Sequence, residues 1–188
     1  MRFFVLMFIL SGCVSKPSRP LYWPLEGARK PLCINVDYKI SFSSSSEAVK
    51  SNEFWYENMR TAMLRYGLDI RCENPEYLVE VLVVNEKSNR PLVFDIIWAS
   101  VSFATVGIVP YESKSEIVVF AKDLSSQQQS KVSASVARSF SIYNVFEARR
   151  LNAESLQRVG LGHEAEMRVS FVSEAIYGLL KEKYSLRP

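Results

Sequence analysis

The feature that most constrains the fold of this chain is a segment at 131–143 in which apolar and polar residues alternate. Alternation with a period of two is typical of a β-strand that has one apolar face and one face in water. The apolar members are Val132, Ala134, Val136, Phe140 and Ile142, and the polar members are Ser133, Ser135, Ser139 and Ser141. Such a strand needs paired neighbours and a covering layer, so the segment predicts a sheet with helices on its apolar face. Val132, Val136 and Phe140 also fit a helical spacing, and a helix here would refute this interpretation.

Other segments supply the neighbours and the covering layer. Apolar alternation or short apolar runs predict strands at 32–42, 68–72, 77–84 and 116–122. Apolar residues at helical spacing predict amphipathic helices at 52–66 and 165–180, the first of them ended by Gly67. The sequence therefore predicts an α+β fold in a single domain over 32–183. Its sheet should be mixed or mostly antiparallel, with the two amphipathic helices packed on one face.

One stretch within this region resembles known envelope domains. In FWYENMRTAMLRYGLDIRCENPEYLVEV, a helix is followed by glycine, a short strand and a strand that begins with tyrosine and aliphatic residues. This order is similar to that of small αβ periplasmic lipoproteins and of the amino-terminal domain of TolB. The resemblance implies an αβ domain of the periplasm, and it transfers no catalytic residues.

The amino terminus, MRFFVLMFILSGC, has the three parts of an export signal. Arg2 is the charged head, Phe3–Leu10 is apolar, and the small residues Ser11 and Gly12 follow. These parts predict a signal peptide over 1–12 rather than a membrane-spanning helix, because the apolar run is too short to cross a bilayer. The quartet ending at Cys13 resembles the lipobox of bacterial lipoproteins. The resemblance implies that Cys13 becomes the first residue and carries fatty acyl chains such as palmitate, which anchor the protein without a spanning helix.

The residues after Cys13 predict where the anchored domain lies. Val14 stands where lipoproteins of the inner membrane commonly carry Asp, and by resemblance this favours the periplasmic side of the outer membrane. Four prolines at 17, 20, 24 and 31 predict an extended tether over 13–31. Tyr22 and Trp23 lie within it, and they could either contact the membrane interface or fix the tether onto the domain.

The most apolar internal segment is PLVFDIIWASVSFATVGIVP, at 91–110. Asp95 is its only charge, and Ser100, Ser102 and Gly107 interrupt it, so a spanning helix is not expected. Two alternatives remain open: a helix or strand pair buried in the domain, or an apolar surface that meets a membrane or another protein. Trp98 and Phe103 would then be the anchoring side chains.

Three further residues are candidates for specific roles. Arg138 lies on the apolar face of the alternating strand, where it could recognise a ligand in a cleft or extend from the margin of the sheet to water. Cys33 and Cys72 are the two cysteines left once Cys13 is acylated. In an oxidising compartment they could form a disulfide, or each could remain a small apolar side chain.

The sequence motifs predict no enzyme, no metal site and no cofactor. The chain has one histidine, His163, and lacks the glycine-rich, serine-elbow and zinc-helix motifs. Its formal net charge is +3, and removal of Arg2 with the signal peptide leaves +2, which argues against nucleic acid as a partner. We expect a non-catalytic envelope lipoprotein that binds a protein or glycolipid as a scaffold, transport accessory or assembly subunit. The alternative is an inhibitor or immunity-type lipoprotein that caps a periplasmic enzyme.

Overall fold

The computed structural model of the 188-residue chain describes residues 12–22, 31–42, 49–50, 53–70, 73–86, 92–105 and 108–185. These residues form one α+β domain. Its strands are β1 (Gly12–Pro17), β2 (Leu32–Phe42), β3 (Val49–Lys50), β4 (Leu68–Asp69), β5 (Tyr77–Glu86), β6 (Tyr111–Asp123) and β7 (Gln129–Ser141). Its helices are α1 (Glu53–Arg65), α2 (Leu92–Ala104), α3 (Val145–Val159) and α4 (His163–Ser185), with a 3₁₀ helix (Ile142–Asn144) between β7 and α3.

The strands form a mixed sheet, as the sequence predicts. Their order is β1-β7-β6-β5-β2-β3, and β4 pairs with the start of β2. The β2 strand runs parallel to β5 and to β4, whereas the other pairs are antiparallel. A parallel pair needs a crossover connection, and α1 supplies it between β2 and β5. The alternating segment is the strand β7, so the helical alternative for it is wrong.

One face of the sheet carries the core. The helices α1 and α4 pack on it, which confirms the predicted placement of two amphipathic helices on one face. Alternate residues of four central strands contribute Ile34, Val36, Val79, Val81, Val83, Ile117, Val119, Val132, Ala134 and Val136. The helices contribute Met59, Ala62, Met63, Met167, Phe171, Val172, Ala175, Ile176 and Leu179. Because strand side chains alternate between the two faces of a sheet, these strand residues all project from the same face, and the helices exclude water from it.

Two glycines have conformational roles in this packing. Gly67 follows α1 with a φ of 76°, the left-handed conformation that ends helices, as predicted. Gly178 of α4 approaches β7 so closely that a Cβ there would lie 2.7 Å from Ser130 Oγ. A larger side chain at this position would therefore require the Ser130 hydroxyl to move.

The structure corrects the predicted tether. Residues 12–17 form the edge strand β1, which pairs with β7 from Gly12 opposite Ser141 to Pro17 opposite Val136. The prolines excluded a helix or a central strand, but an edge strand tolerates proline because one side of it has no ladder to complete. The domain therefore includes residues 12–17, which precede the predicted start at Leu32. The rest of the predicted tether, 23–30, lies outside the described residues.

The segment after β1 is also held against the domain. The Arg19 guanidinium donates two hydrogen bonds to the Glu174 carboxylate, at 3.1 and 2.6 Å. The Tyr22 backbone N–H donates to Ser170 Oγ at 2.7 Å, and the Tyr22 and Tyr177 rings lie 5.7 Å apart. These contacts hold Tyr22 against the domain, which is one of the two alternatives for this residue. Trp23 lies outside the described residues.

Candidate functional site

The candidate anchoring residue, Cys13, lies in the second position of the edge strand β1 and is exposed. Its register partner is Phe140 of β7, and Phe140 in turn is paired with Tyr111 of β6. Side chains at directly paired positions project from the same face of a sheet. Cys13 therefore shares its face with two aromatic residues at one end of the sheet.

The surroundings of Cys13 do not activate its sulfur as a nucleophile. The protein around the thiol removes water from it and raises its pKa, and the negative charge of Glu164 adds to this shift, although Arg138 opposes it. Reactive cysteines have lowered pKa values because their thiolates are stabilised. The environment is therefore unlike that of a catalytic cysteine.

A small cavity adjoins Cys13. Its volume is about 130 Å³, and Ser15, Leu151 and His163 contribute to its wall. Pockets that enclose organic ligands usually have ≈ 300–1,000 Å³. An acyl chain on Cys13 could not be sheltered there and would extend away from the domain.

His163, the only histidine of the chain, joins β1 to the helices. Its Nε2 lies 2.9 Å from the carbonyl oxygen of Ser15, and its Nδ1 lies 3.3 Å from Ser155 Oγ. Its backbone N–H donates to Asn152 Oδ1 at 2.9 Å. Both ring nitrogens are thus engaged by the protein, and Ser155 is fully buried. The arrangement therefore positions the edge strand against the helices.

An ion pair between the exposed Arg158 and the buried Glu166 lies next to His163. The Arg158 guanidinium donates to both carboxylate oxygens of Glu166, at 2.8 and 2.9 Å, and Ser155 Oγ donates to the same carboxylate. Burial raises the pKa of Glu166, but the bonds from Arg158 and Ser155 outweigh it and hold the pKa below its usual value. Glu166 is therefore ionised at neutral pH and fixes the start of α4 to α3.

Arg138, the candidate recognition residue, is already paired within the domain. Its guanidinium donates to Ser115 Oγ at 2.6 Å and to Glu164 Oε1 at 2.9 Å. Glu164 lies in the first turn of α4, so Arg138 connects the sheet to the helix layer near Cys13. These bonds explain how the charge is tolerated on the apolar face of β7.

The apolar segment at 91–110 contains a helix, α2, that exposes most of its surface. The domain touches it at β6 and on one side, where Ser102 is fully buried. Trp98 and Phe103 are each 52 % exposed and Val93 is 65 % exposed. The exposed apolar side chains of the helix are Val93, Phe94, Ile96, Ile97, Trp98, Val101 and Phe103. Of the two alternatives left open by the sequence, the structure favours an apolar surface over burial in the domain.

This helix lies at the same end of the sheet as Cys13. The ring of Phe103 contacts that of Phe140, with centroids 5.0 Å apart, and Phe140 is the register partner of Cys13. Two further aromatic residues follow the end of β7: Tyr143 is 71 % exposed and Phe146 is 81 % exposed. We call this group, Cys13 with α2, Tyr143 and Phe146, the apolar end of the domain. The sequence analysis missed Tyr143 and Phe146, for which the signal was an aromatic pair placed directly after a strand.

The two remaining cysteines are described in part. Cys33 is disulfide-bonded, and Leu32–Cys33 runs parallel to Leu68–Asp69, as predicted for a chain that returns beside the first strand. Cys72 lies outside the described residues, so its pairing with Cys33 stays a prediction.

Two further kinds of site are absent from the described ranges. No helix within them is long and apolar enough to cross a membrane. Nor do His, Cys, Asp and Glu side chains within them form a group of three that could hold a metal ion.

The chain was compared with protein families, curated proteins and solved structures, and solved structures gave matches. No family model and no curated protein matches the chain. Among solved structures, the chain is similar to a dodecamer of a PelC variant from Paraburkholderia phytofirmans, with 12% identity and a TM-score of 0.32. The similarity covers 84% of this chain and 98% of that one. At this degree of likeness, the similarity assigns no function to the chain.

Proposed function

We propose that this chain is a non-catalytic lipoprotein of the bacterial envelope, anchored by acyl chains on Cys13 and facing the periplasm from the outer membrane. It binds a protein or glycolipid partner as a scaffold, transport accessory or assembly subunit. The observation that carries the proposal is the sequence Leu10-Ser11-Gly12-Cys13, whose cysteine is exposed at the start of the domain.

The position of Cys13 determines how the anchor acts. Because β1 pairs with β7 from this residue onward, no free tether separates the acylated residue from the sheet. The cavity beside Cys13 is too small for an acyl chain, so the chains extend outward into the bilayer. The domain then rests on the membrane surface with its apolar end, instead of standing away from it on an extended linker.

The non-catalytic part of the proposal is supported by the roles of the residues most suited to chemistry. Both ring nitrogens of His163 contact oxygen atoms of the protein, and Arg138 is paired with Glu164. Each of these groups has a structural explanation that requires no substrate.

The anchor is tested by expressing the full chain in a bacterium supplied with an alkyne analogue of palmitate. We expect wild-type protein to incorporate the label and to fractionate with membranes, and Cys13→Ser protein to do neither. Lys16→Ala is the matched control, because it lies on the same strand, leaves the lipobox intact and removes only an exposed ion pair to Glu147. Label retained by Cys13→Ser protein would contradict the assignment of this residue.

The partner is tested by purification of the acylated protein from detergent-solubilised envelope. We expect an envelope protein or glycolipid to co-purify in a constant ratio. Recovery of a periplasmic enzyme whose activity the protein suppresses would instead favour the inhibitor alternative.

A further inference from the structure

We propose that α2 is an interfacial helix that lies in the headgroup region of the bilayer and orients the domain on the membrane. This inference rests on the proposed anchor and extends it. The anchor alone specifies which residue is attached to the membrane, whereas α2 specifies which side of the domain faces it.

The first argument is the distribution of apolar side chains around α2. Seven of its large apolar side chains are exposed, and they extend around the helix on both sides of Ile97 and Val101. The helix has 13 residues, about 20 Å at 1.5 Å per residue, which is too short to span a bilayer but sufficient to lie along its surface. A helix that is apolar over most of its circumference is stable only where most of its surroundings are apolar.

The second argument is that the hydroxyl groups of Ser100 in α2 and of Thr105 directly after it are compatible with that environment. Ser100 Oγ donates to the carbonyl oxygen of Ile96 at 2.7 Å, and Thr105 Oγ1 donates to that of Val101 at 2.9 Å. Both hydroxyl groups therefore satisfy their donors within the helix. Entry into lipid leaves these donors paired, and this avoids the large cost of an unsatisfied polar group.

The third argument is the proximity of the anchor, which identifies the bilayer as the occupant of this surface. Cys13 pairs with Phe140, whose ring contacts Phe103 of α2. Acyl chains attached at Cys13 would hold α2 at the membrane at all times. Another protein would have to displace these lipids before it could cover the helix.

The fourth argument is the composition of the rest of the apolar end. Phe146 and Tyr143 provide aromatic side chains of the kind that favour the membrane interface. Arg149 and Arg150 lie three and four positions after Phe146 on α3, and both are exposed. On a helix, residues at this spacing share a face with Phe146, so the two arginines can meet anionic headgroups on that side, although Arg150 also lies 3.9 Å from Glu154.

The test uses the full-length acylated protein reconstituted in phosphatidylethanolamine and phosphatidylglycerol vesicles that contain lipids brominated on the acyl chains. Bromine quenches tryptophan fluorescence on contact. The signal of Trp98 is obtained as the difference between wild-type and Trp98→Phe protein, which removes the contributions of Trp23 and Trp55. We expect the Trp98 signal to be lost in brominated vesicles, and more strongly with bromine near the headgroup than with bromine near the end of the chain.

The matched control places tryptophan at the opposite end of the sheet. Leu124 lies at the turn between β6 and β7 and is 43 % exposed, so Leu124→Trp in the Trp98→Phe background reports a surface that should face away from lipid. Its fluorescence should be unchanged by bromine. Equal quenching at the two positions, or none at position 98, would overturn the proposed orientation.

The intact mass of the same samples distinguishes failure of the anchor from failure of the docking. If Cys13 carries acyl chains and Trp98 is not quenched, the docking is wrong and the anchor stands. If Cys13 carries none and Trp98 is still quenched, the anchor is wrong and the docking stands. Protection of Trp98 from the aqueous quencher acrylamide in detergent, together with crosslinking through α2 to a second copy, would also overturn the docking.

Discussion

The helices α2 and α4 are both rich in apolar residues, but their surroundings differ. The α4 helix buries its apolar side chains against the sheet, and Phe171 at its middle is fully buried. The α2 helix contains a larger proportion of apolar residues, yet it exposes most of them. It contacts β6, and the ring of Phe103 packs against that of Phe140 in β7.

The difference shows that a high proportion of apolar residues does not by itself bury a helix in this domain. Residues 169–173 of α4 are all buried, because the helix contacts the sheet as well as α1 and α3, whereas Glu164 and Lys181 are exposed. The exposed apolar residues of α2 extend around most of the helix, and its contact with β6 covers only one side of it. The remainder needs a second apolar surface, for which we propose the bilayer.

The largest expected effect tests the burial of α4. Phe171→Ala should lower the free energy of unfolding by about 3–5 kcal/mol, because it opens a cavity in the core and removes a large apolar side chain. The matched change in α2 is Phe94→Ala, at a side chain that is 60 % exposed. In detergent solution it should change the free energy of unfolding by about 0.5 kcal/mol or less. Both values are measured by urea denaturation of the purified protein.

If Phe171→Ala and Phe94→Ala lowered the free energy of unfolding by the same amount, α2 and α4 would not differ in burial. Such a result would mean that Phe94 is covered in solution. It would also argue that α2 packs against protein rather than lipid.

The second prediction concerns the buried charge near the start of α4, for which α2 shows no described equivalent. Glu166→Gln should cost about 1–3 kcal/mol at neutral pH, because Arg158 loses its charged acceptor. Since the pKa of Glu166 is lowered in the fold, its stabilisation is complete above the carboxyl pKa of the unfolded chain, about 4.3. The stabilisation is lost as the pH falls through the lower pKa of the folded protein.

Urea denaturation between about pH 7 and about pH 3 measures this linkage. The curves of wild-type and Glu166→Gln protein should converge towards the acid end. Glu164→Gln, two residues earlier and more exposed, is the control and should cost about 1 kcal/mol or less. If the free energies of unfolding of Glu166→Gln and wild-type protein differed by the same amount at every pH, the ionised carboxylate would not be the source of the stabilisation.

Much of the fold could be predicted because its signals are local and repeated. Alternation in β2 and β7 predicted strands over 32–42 and 131–143, and the structure has Leu32–Phe42 and Gln129–Ser141. The helix α3 was missed because Arg149, Arg150 and Arg158 make its polar side prominent, and its few buried residues include the polar Ser155. The strand β1 was missed because its proline content resembles that of a linker, and only its pairing with β7 makes it a strand.

The candidate site was predictable in part, for a similar reason. The lipobox is a local motif, so it identifies Cys13 without knowledge of the fold, and the apolar segment identifies Trp98 and Phe103. Nothing local indicates that these residues are neighbours, because 90 residues separate Cys13 from Phe103. Their proximity depends on Phe140, which pairs with one and contacts the other. The role of His163 was hidden in the same way, since its partner Ser15 lies on a strand that the sequence did not predict.

The smallest expected effect compares one buried serine from each helix. In α4, Ser170 Oγ accepts a hydrogen bond from the Tyr22 N–H at 2.7 Å, so Ser170→Ala should cost about 1 kcal/mol. In α2, Ser102 Oγ is buried and has no hydrogen-bond partner among the described residues. Ser102→Ala removes the cost of burying that hydroxyl, so it should be neutral or stabilising by up to about 1 kcal/mol. Urea denaturation of the two single variants measures the change in the free energy of unfolding. We expect a loss of stability for Ser170→Ala and no loss for Ser102→Ala. A loss of equal size in both variants would show that Ser102 has a polar partner that holds α2 to the domain.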